Sequence, residues 1–181
     1  APYATLPEKD QNYYGEITAI DRNVGKLRTA LRELKVADQT ILWYCSDNGG
    51  DAGPKSTGNL RGSKGTLWDG GLRVPGLVEW PARIPRPAVS DIPCSTLDIY
   101  PTILAATGTK AEKQIQPLDG INLLPLFDGQ MSARGRAIPF IARLGQDNAH
   151  AALIDWPYKL HLNANFGRGK KGASQPAAPV R

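Results

Sequence analysis

The class of fold is decided by one short stretch, Thr40-Ile41-Leu42-Trp43-Tyr44-Cys45-Ser46-Asp47-Asn48-Gly49-Gly50. Its first six residues form an apolar run without alternation, which is typical of a strand buried on both faces of a parallel sheet. The run stops at once in a polar turn that contains two glycines. A helical pattern precedes the run, and a helix followed by a buried strand predicts an α/β fold.

The helix before this strand is predicted over residues 10–34, with Asp10 as its N-cap. Its apolar residues recur at intervals of three and four, which places them on one face. They are Tyr13, Tyr14, Ile17, Ile20, Val24, Leu27, Leu31 and Leu34.

The rest of the chain divides into further short elements. A polar, glycine-rich stretch over 51–71 precedes a second strand near 74–80. A capping box over 95–98 opens a helix that ends at Gly108. Another short helix is predicted over 121–127, followed by β runs at 137–144 and 149–162. We therefore predict an α/β domain over 1–135, a small antiparallel β subdomain over 136–165 and a flexible basic tail over 166–181.

The charge and composition exclude several classes of protein. The net charge is +5, but four of the excess cations follow Phe166, so residues 1–166 carry only +1. A nucleic-acid-binding surface would carry its cations on a folded face, so we expect no nucleic-acid partner. No apolar run approaches the length of a membrane-spanning helix, so no membrane span is predicted. Two cysteines do not form a disulfide framework.

The first candidate for chemistry is the turn Asp47-Asn48. In open α/β sheets, ligands bind beyond the carboxyl ends of the parallel strands, and this turn follows such an end. A carboxylate and an amide oxygen are donors that suit Ca²⁺ or Mg²⁺. The residues by themselves also fit an Asx turn with a purely structural role. Both interpretations stay open on spacing alone.

The second candidate is the loop Arg61-Gly62-Ser63-Lys64-Gly65-Thr66. Small residues around Lys64 allow an oxyanion to approach closely, and Arg61 supplies a possible second cation. The spacing does not match a phosphate-binding P-loop, and a mobile surface loop is the alternative. A cation-binding turn and an anion-binding loop in one connection together favour a hydrolase of sulfate or phosphate esters.

Three segments of the sequence resemble the sulfatases of the alkaline-phosphatase-like superfamily. The first runs over 14–49 and ends in the Ser-Asp-Asn-Gly turn, and the third runs over 95–126. The second is the most specific, Leu60-Arg61-Gly62-Ser63-Lys64-Gly65-Thr66-Leu67-Trp68-Asp69-Gly70-Gly71-Leu72-Arg73-Val74-Pro75. The resemblance covers about residues 10–165 in the family's order.

The resemblance implies a calcium-dependent sulfate-ester hydrolase with an α/β/α sandwich, a mostly parallel sheet and a small antiparallel β subdomain. It implies that Asp47 and Asn48 are two of the calcium ligands and that Lys64 is the cation on the sulfate oxygens. Arg61 is implied as a weaker substrate-binding residue. The implied substrate is a sulfated small molecule or glycan, and the implied location is periplasmic or secreted.

The family's nucleophile is a formylglycine made from Cys or Ser in a Cys/Ser-x-Pro-x-Arg motif, which this chain lacks. Cys45 precedes Ser-Asp-Asn and Cys94 precedes Ser-Thr-Leu. His150 and His161 fall in the predicted β subdomain, where surface or packing roles are expected, and packing is also expected for Trp68. We therefore interpret the chain as a carboxyl-proximal part of a sulfatase, with the nucleophile and the remaining calcium ligands in an amino-terminal half outside it.

This interpretation carries further expectations and leaves alternatives open. By itself the chain should be inactive and should self-associate through apolar surface that the other half would cover. A phosphodiesterase or phosphonate hydrolase of the same superfamily is a second interpretation, although the lysine loop favours a sulfatase. A non-catalytic binding module is a third interpretation.

Overall fold

The chain forms two compact units in a computed structural model that describes residues 2–51, 54–110, 117–142 and 149–162. The first unit comprises Ala1–Cys45 and Gly76–Val89, and the second comprises Ser46–Pro75 and Ser90–Arg181. Within the described ranges, no helix has the length and apolar character needed to cross a lipid bilayer. The basic tail predicted over 166–181 lies outside the described residues, and the predicted domain boundaries stay a prediction.

The first unit begins with the long helix α1, Glu8–Glu33. The predicted helix is confirmed, but the prediction that Asp10 is its N-cap is wrong, because the helix begins directly after Pro7. The carbonyl oxygen of Pro7 accepts hydrogen bonds from the amides of Asp10 and Gln11, at 2.9 and 3.0 Å. Asp10 instead lies in the first turn, where its carboxylate interacts favourably with the helix dipole.

A 3₁₀ turn, Ala37–Gln39, connects α1 to strand β1, Leu42–Cys45. β1 pairs antiparallel with β2, Gly76–Glu79, with Leu42 opposite Glu79. The predicted strands are confirmed, but burial of β1 on both faces is wrong for the described residues. Tyr44 is 40% exposed and the other three residues are half-buried, because β1 pairs with one strand only among the described residues. The parallel sheet stays a prediction.

The glycine-rich connection between β1 and β2 contains two short helices. They are α2, Pro54–Thr57, and α3, Asp69–Leu72. Both glycines of α3 are buried, so this helix packs closely against its surroundings through its backbone. The loop predicted from composition is therefore partly ordered into single helical turns.

The capping box predicted over 95–98 is confirmed. Ser95 accepts a hydrogen bond from the amide of Leu97, and the Asp98 carboxylate accepts one from the amide of Ser95. A 3₁₀ turn, Thr96–Asp98, leads directly into α4, Ile99–Thr107. Gly108 then ends the helix in the left-handed conformation, at φ +66°, as predicted.

The Asp98 carboxylate is fully buried and accepts four hydrogen bonds. Two come from the amides of Ser95 and Ile121, at 2.7 and 2.8 Å. The other two come from the guanidinium of Arg134, at 2.5 and 2.7 Å, which also donates to the carbonyl of Pro93. The charge is therefore matched by a cation, and three segments of the chain meet on it.

The helix predicted over 121–127 is shorter in the structure, where α5 covers Leu124–Phe127. Two side chains accept hydrogen bonds from backbone amides at the start of this helix. Thr102 Oγ1 accepts from the amide of Leu123, and Asn122 Oδ1 accepts from the amide of Leu124. Amides at a helix start have no acceptor within the helix, so these bonds cap α5. Leu123 is one of the most buried residues, at 1% exposure.

The predicted antiparallel β region is confirmed as a small sheet of three strands, in the order β3-β4-β5. The strands are β3, Ile138–Ala142; β4, His150–Asp155; and β5, Tyr158–Leu162. One side of this small sheet is directed into the second unit, where Ile138, His150 and Ala152 are buried. Both histidines of the chain lie in this sheet.

The other side of the small sheet is apolar and exposed to solvent. Because alternate residues of paired strands share a face, the register places five large apolar side chains on this side. We name this set the apolar outer face; its members are 40–78% exposed and comprise Ile141, Leu153, Tyr158, Leu160 and Leu162. A contiguous exposed patch of this kind favours association with another apolar surface.

Replacing Arg134 with methionine should destabilise the second unit strongly. The change leaves the buried Asp98 carboxylate without its cation, a loss worth about 3–5 kcal/mol in comparable buried pairs. Urea-induced unfolding would measure the loss. Glu79→Gln is the matched control, because it removes a half-exposed ion pair with Arg28 and should change stability little. A loss below about 1 kcal/mol for Arg134→Met would contradict this account.

Replacing Leu160 with lysine should reduce self-association of the chain without affecting its stability. Leu160 is 68% exposed in the middle of the edge strand β5, on the apolar outer face, so the substitution should change the free energy of unfolding by less than about 0.5 kcal/mol. Sedimentation velocity at several concentrations would report the change in association. A wild-type chain that stays monomeric throughout would show that this surface does not self-associate.

Candidate functional site

The turn that follows β1 presents two oxygen donors of different exposure. Asp47 is exposed, whereas Asn48 Oδ1 is buried and has no hydrogen-bond partner in the structure. The turn itself is closed by a hydrogen bond from the Ser46 hydroxyl to the carbonyl oxygen of Asn48, at 2.8 Å. The Asn48 side chain therefore does not serve an Asx turn, and its buried acceptor has the character of a cation ligand.

Backbone hydrogen bonds join this turn to the loop that carries Lys64. We name residues 61–71 the site loop. The amide of Gly49 donates to the carbonyl of Gly71 at 2.9 Å, and the amide of Lys64 donates to the carbonyl of Gly50 at 3.2 Å. The structure thus brings together the turn and the loop that the sequence proposed as a cation site and an anion site.

Glycines make this close contact possible. A Cβ atom on Gly49 would overlap the carbonyl oxygen of Gly70, and one on Gly70 would overlap the carbonyl of Gly62. A Cβ on Gly71 would likewise overlap the carbonyl of Thr66. The three positions therefore exclude any side chain, and the contact between turn and site loop is made by backbone atoms.

The two predicted cations of the site loop differ in their surroundings. Lys64 is exposed, and its backbone lies between glycines 62 and 65, which both adopt φ +83°. Arg61 is also exposed, but its guanidinium carbon lies 3.6 Å from the centre of the Trp68 ring. Arg61 thus makes a cation–π contact within the loop, and its substrate-binding role stays a prediction.

The site loop is also held by the small sheet. The ring of His161 lies 4.2 Å from that of Trp68, centre to centre, and Lys159 Nζ lies 2.6 Å from Asp69 Oδ1. These contacts agree with the packing role that the sequence predicts for Trp68 and His161. A contact between Lys159 and the site loop was not predicted from the sequence. The one sequence pattern that bears on this contact is the alternation of polar and apolar residues over 158–162, which places Lys159 and His161 on the same face.

The charge state of His161 follows from this environment. Burial lowers the pKa of His161 below its ordinary value, and the neighbouring Lys159 and Arg61 act in the same direction. Asp69 opposes them. Near neutral pH the ring that contacts Trp68 is therefore the uncharged imidazole.

Comparison with known families identifies the family of the chain. The family model described as Sulfatase matches residues 3–109, which include the turn, the site loop and the capping box. This chain belongs to the sulfatase family.

Several named sulfatases are similar to the chain over most of its length. Arylsulfatase H from Homo sapiens is 37% identical over 129 residues, which is 66% of this chain and 23% of that protein. N-acetylgalactosamine-6-sulfatase from Sus scrofa is 33% identical over 163 residues, which is 83% of this chain and 31% of that protein. The chain thus spans less than a third of the length of either relative.

A solved sulfatase structure has the same fold in this region. PsFucS1 sulfatase from Pseudoalteromonas sp. superposes with a TM-score of 0.59 at 27% identity, over 74% of this chain and 28% of that one. The neighbouring structures support an α/β fold of the alkaline-phosphatase-like kind, as the sequence resemblance implied.

The calcium-binding role of Asp47 and Asn48 stays a prediction. Among the residues that the structure describes, no group of three or more His, Cys, Asp or Glu side chains could hold a metal ion. The oxygen donors of Asp47 and Asn48 suit Ca²⁺, and the buried acceptor Asn48 Oδ1 fits such a ligand. Because Ca²⁺ takes six to eight oxygen ligands, these two residues can supply only a minority of them.

The replacement Gly70→Ala should disrupt the site of this sulfatase without removing any functional group. Its Cβ would overlap the Gly62 carbonyl, at a cost of about 1–3 kcal/mol or more. Urea-induced unfolding would measure the cost. Gly25→Ala is the matched control, because that helical glycine faces open space and alanine should stabilise α1 by up to about 1 kcal/mol. A Gly70→Ala chain as stable as the wild type would contradict the close backbone contact.

Proposed function

We propose that this chain is the carboxyl-proximal part of a calcium-dependent sulfatase that hydrolyses sulfate esters. The observation that carries the proposal is the pair of backbone hydrogen bonds between the Asp47-Asn48 turn and the site loop. They bring oxygen donors for a cation next to the segment that carries an exposed lysine. Hydrolysis of a sulfate ester needs both kinds of group. Oxygen donors hold the metal ion that binds the sulfate group, and a cation stabilises the negative charge that develops during the reaction.

Asp47 and Asn48 are the calcium ligands that this chain would contribute. Asp47 supplies a carboxylate, and the orphaned acceptor of Asn48 supplies a neutral oxygen directed into the protein. When bound, Ca²⁺ would neutralise part of the charge on the sulfate group and fix its orientation. The remaining ligands belong, in this proposal, to an amino-terminal half of the protein.

Lys64 is the cation that would bind the sulfate oxygens. Its ammonium group is exposed and carries three donors, so it can follow the oxygens as charge shifts onto them in the transition state. Arg61 would add a second positive charge at the edge of the same loop. Small neutral residues around Lys64 leave room for the anion, since Gly62 and Ser63 precede it and Gly65 follows it.

The nucleophile in this proposal is a formylglycine outside the chain. Cys45 and Cys94 are both unpaired thiols, and neither lies in the Cys/Ser-x-Pro-x-Arg context that the modification requires. The half-buried β1 and the exposed apolar side chains of α1 are consistent with packing against a further part of the sheet. The chain by itself is therefore expected to be inactive.

The names of the relatives support a proposal for the substrate class. Among the relatives, one is named an arylsulfatase and another an N-acetylgalactosamine-6-sulfatase. We propose a sulfated small molecule or glycan as the substrate here.

Hydrolysis of 4-nitrophenyl sulfate by the full-length protein tests the proposal. Wild-type protein should be active and lose activity on calcium chelation. Lys64→Ala should lower kcat/KM by about 10²–10³-fold, as expected for loss of one group that stabilises transition-state charge. Lys26→Ala is the matched control, because it removes an exposed lysine of α1 and should leave kcat/KM unchanged.

Three outcomes would contradict this function. Wild-type activity on a phosphodiester instead of the sulfate ester would favour the phosphodiesterase interpretation. Unchanged activity after Lys64→Ala would remove the proposed role of this lysine. Micromolar calcium affinity of this chain alone would indicate a complete binding module, because two donors should bind calcium only in the millimolar range or more weakly.

A further inference from the structure

Two side chains on the inward side of β5, Lys159 and His161, contact the site loop. Lys159 and His161 alternate along the strand and so point to the same side. Lys159 Nζ lies 2.6 Å from Asp69 Oδ1, and the His161 ring lies 4.2 Å from the Trp68 ring. The Lys159 side chain is 17% exposed and the Asp69 side chain 44%, so the lysine is mostly buried while the carboxylate stays partly in contact with water. Two side chains of one strand therefore fix two neighbouring residues of the loop.

Hydrogen bonds close the site loop on itself: the amide and hydroxyl of Thr66 donate to the carbonyl of Ser63, and the amide of Gly70 donates to the carbonyl of Arg61. Glycines 62 and 65 both have positive φ, in a region that few other residues adopt. Lys64 lies between them, and its side chain is exposed. The contacts of Arg61 with Trp68, and of Trp68 with His161, connect the beginning of the loop to its end and to β5. Where this closed loop places Lys64 depends in addition on contacts outside the loop, with the carbonyl of Gly50 and with the side chains of β5.

We propose that Lys159 and His161 are positioning residues for Lys64, and that β5 holds the site loop in the conformation that binds the anionic group of the substrate. The two residues act through Asp69 and Trp68 and do not touch the substrate. The role of Lys64 in this proposal rests on the function proposed above. The positioning of the loop itself does not, because it follows from contacts within the second unit.

The proposal predicts that the loop is held best when the His161 ring is neutral. The groups that face this ring are Trp68, Asp69, Lys159 and Arg61, so protonation would add a third cation beside one carboxylate that is already paired. An opened loop would free the ring to take up a proton at its ordinary pKa. Opening should therefore become more favourable as the pH falls through that value, and level off below the lowered pKa of the closed state.

Amide hydrogen exchange of the chain tests the positioning directly. His161→Ala should raise the opening equilibrium of residues 61–71 about two- to tenfold, as expected for loss of an aromatic contact. His161→Phe keeps the ring contact and should restore protection. The matched control is Tyr158→Ala, which removes a side chain from the opposite, exposed side of β5 and should change nothing in the loop.

The pH dependence distinguishes positioning from general instability. After correction for intrinsic exchange rates, protection of the wild-type loop should fall between about pH 7 and about pH 5. The His161→Phe chain should show a smaller fall, because its ring cannot be protonated. Equal loop protection in wild type, His161→Ala and Lys159→Met, at both pH values and in folded chains, would overturn the proposal.

Kinetics of the full-length protein test whether the effect reaches Lys64. His161→Ala should lower kcat/KM for 4-nitrophenyl sulfate in the wild-type background and have no further effect in a Lys64→Ala background. Additive losses would mean that His161 acts independently of Lys64 and would overturn the proposal. A wild-type protein without sulfatase activity would instead refute the proposed function, and the exchange measurements would still decide the positioning.

Discussion

The carboxylate of Asp98 is the charge on which the second unit depends. A buried carboxylate must find a full set of hydrogen bonds, or its desolvation would outweigh much of the stability of a domain. Asp98 meets this requirement with the amides of Ser95 and Ile121 and the guanidinium of Arg134. These groups lie at the start of α4, ahead of α5 and ahead of β3, so one charge fixes three segments and the place at which the small sheet begins.

The candidate site is held by two kinds of contact. Backbone atoms of glycine-rich segments join the Asp47-Asn48 turn to the site loop, and side chains of β5 hold the far end of the loop. The first contact sets the distance between the proposed cation and anion sites. The second limits the motion of the loop. Preorganised charge of this kind is what hydrolysis of a charged ester requires, because the enzyme then need not reorganise during the reaction.

The sequence predicts the local parts of this structure and the residues of the candidate site. The capping box, the glycine at the end of α4 and the strand before Asp47 are each encoded by neighbouring residues. The Asp98–Arg134 pair spans 36 residues and the Lys159–Asp69 pair spans 90, and no local pattern specifies such partners. The alternation of polar and apolar residues in β5 likewise defines two faces but does not indicate which one is buried. In this structure the polar face is directed inward.

The close contacts of Gly49, Gly70 and Gly71 have a consequence for natural sequence variation. Missense changes at these positions of this chain would be harmful for reasons of volume, whereas at Asp47 or Lys64 the proposed function predicts harm for reasons of chemistry. A glycine variant would retain every proposed ligand and cation and still lose the geometry that relates them. Such alleles would resemble active-site alleles in phenotype, although no altered side chain would ever meet the substrate.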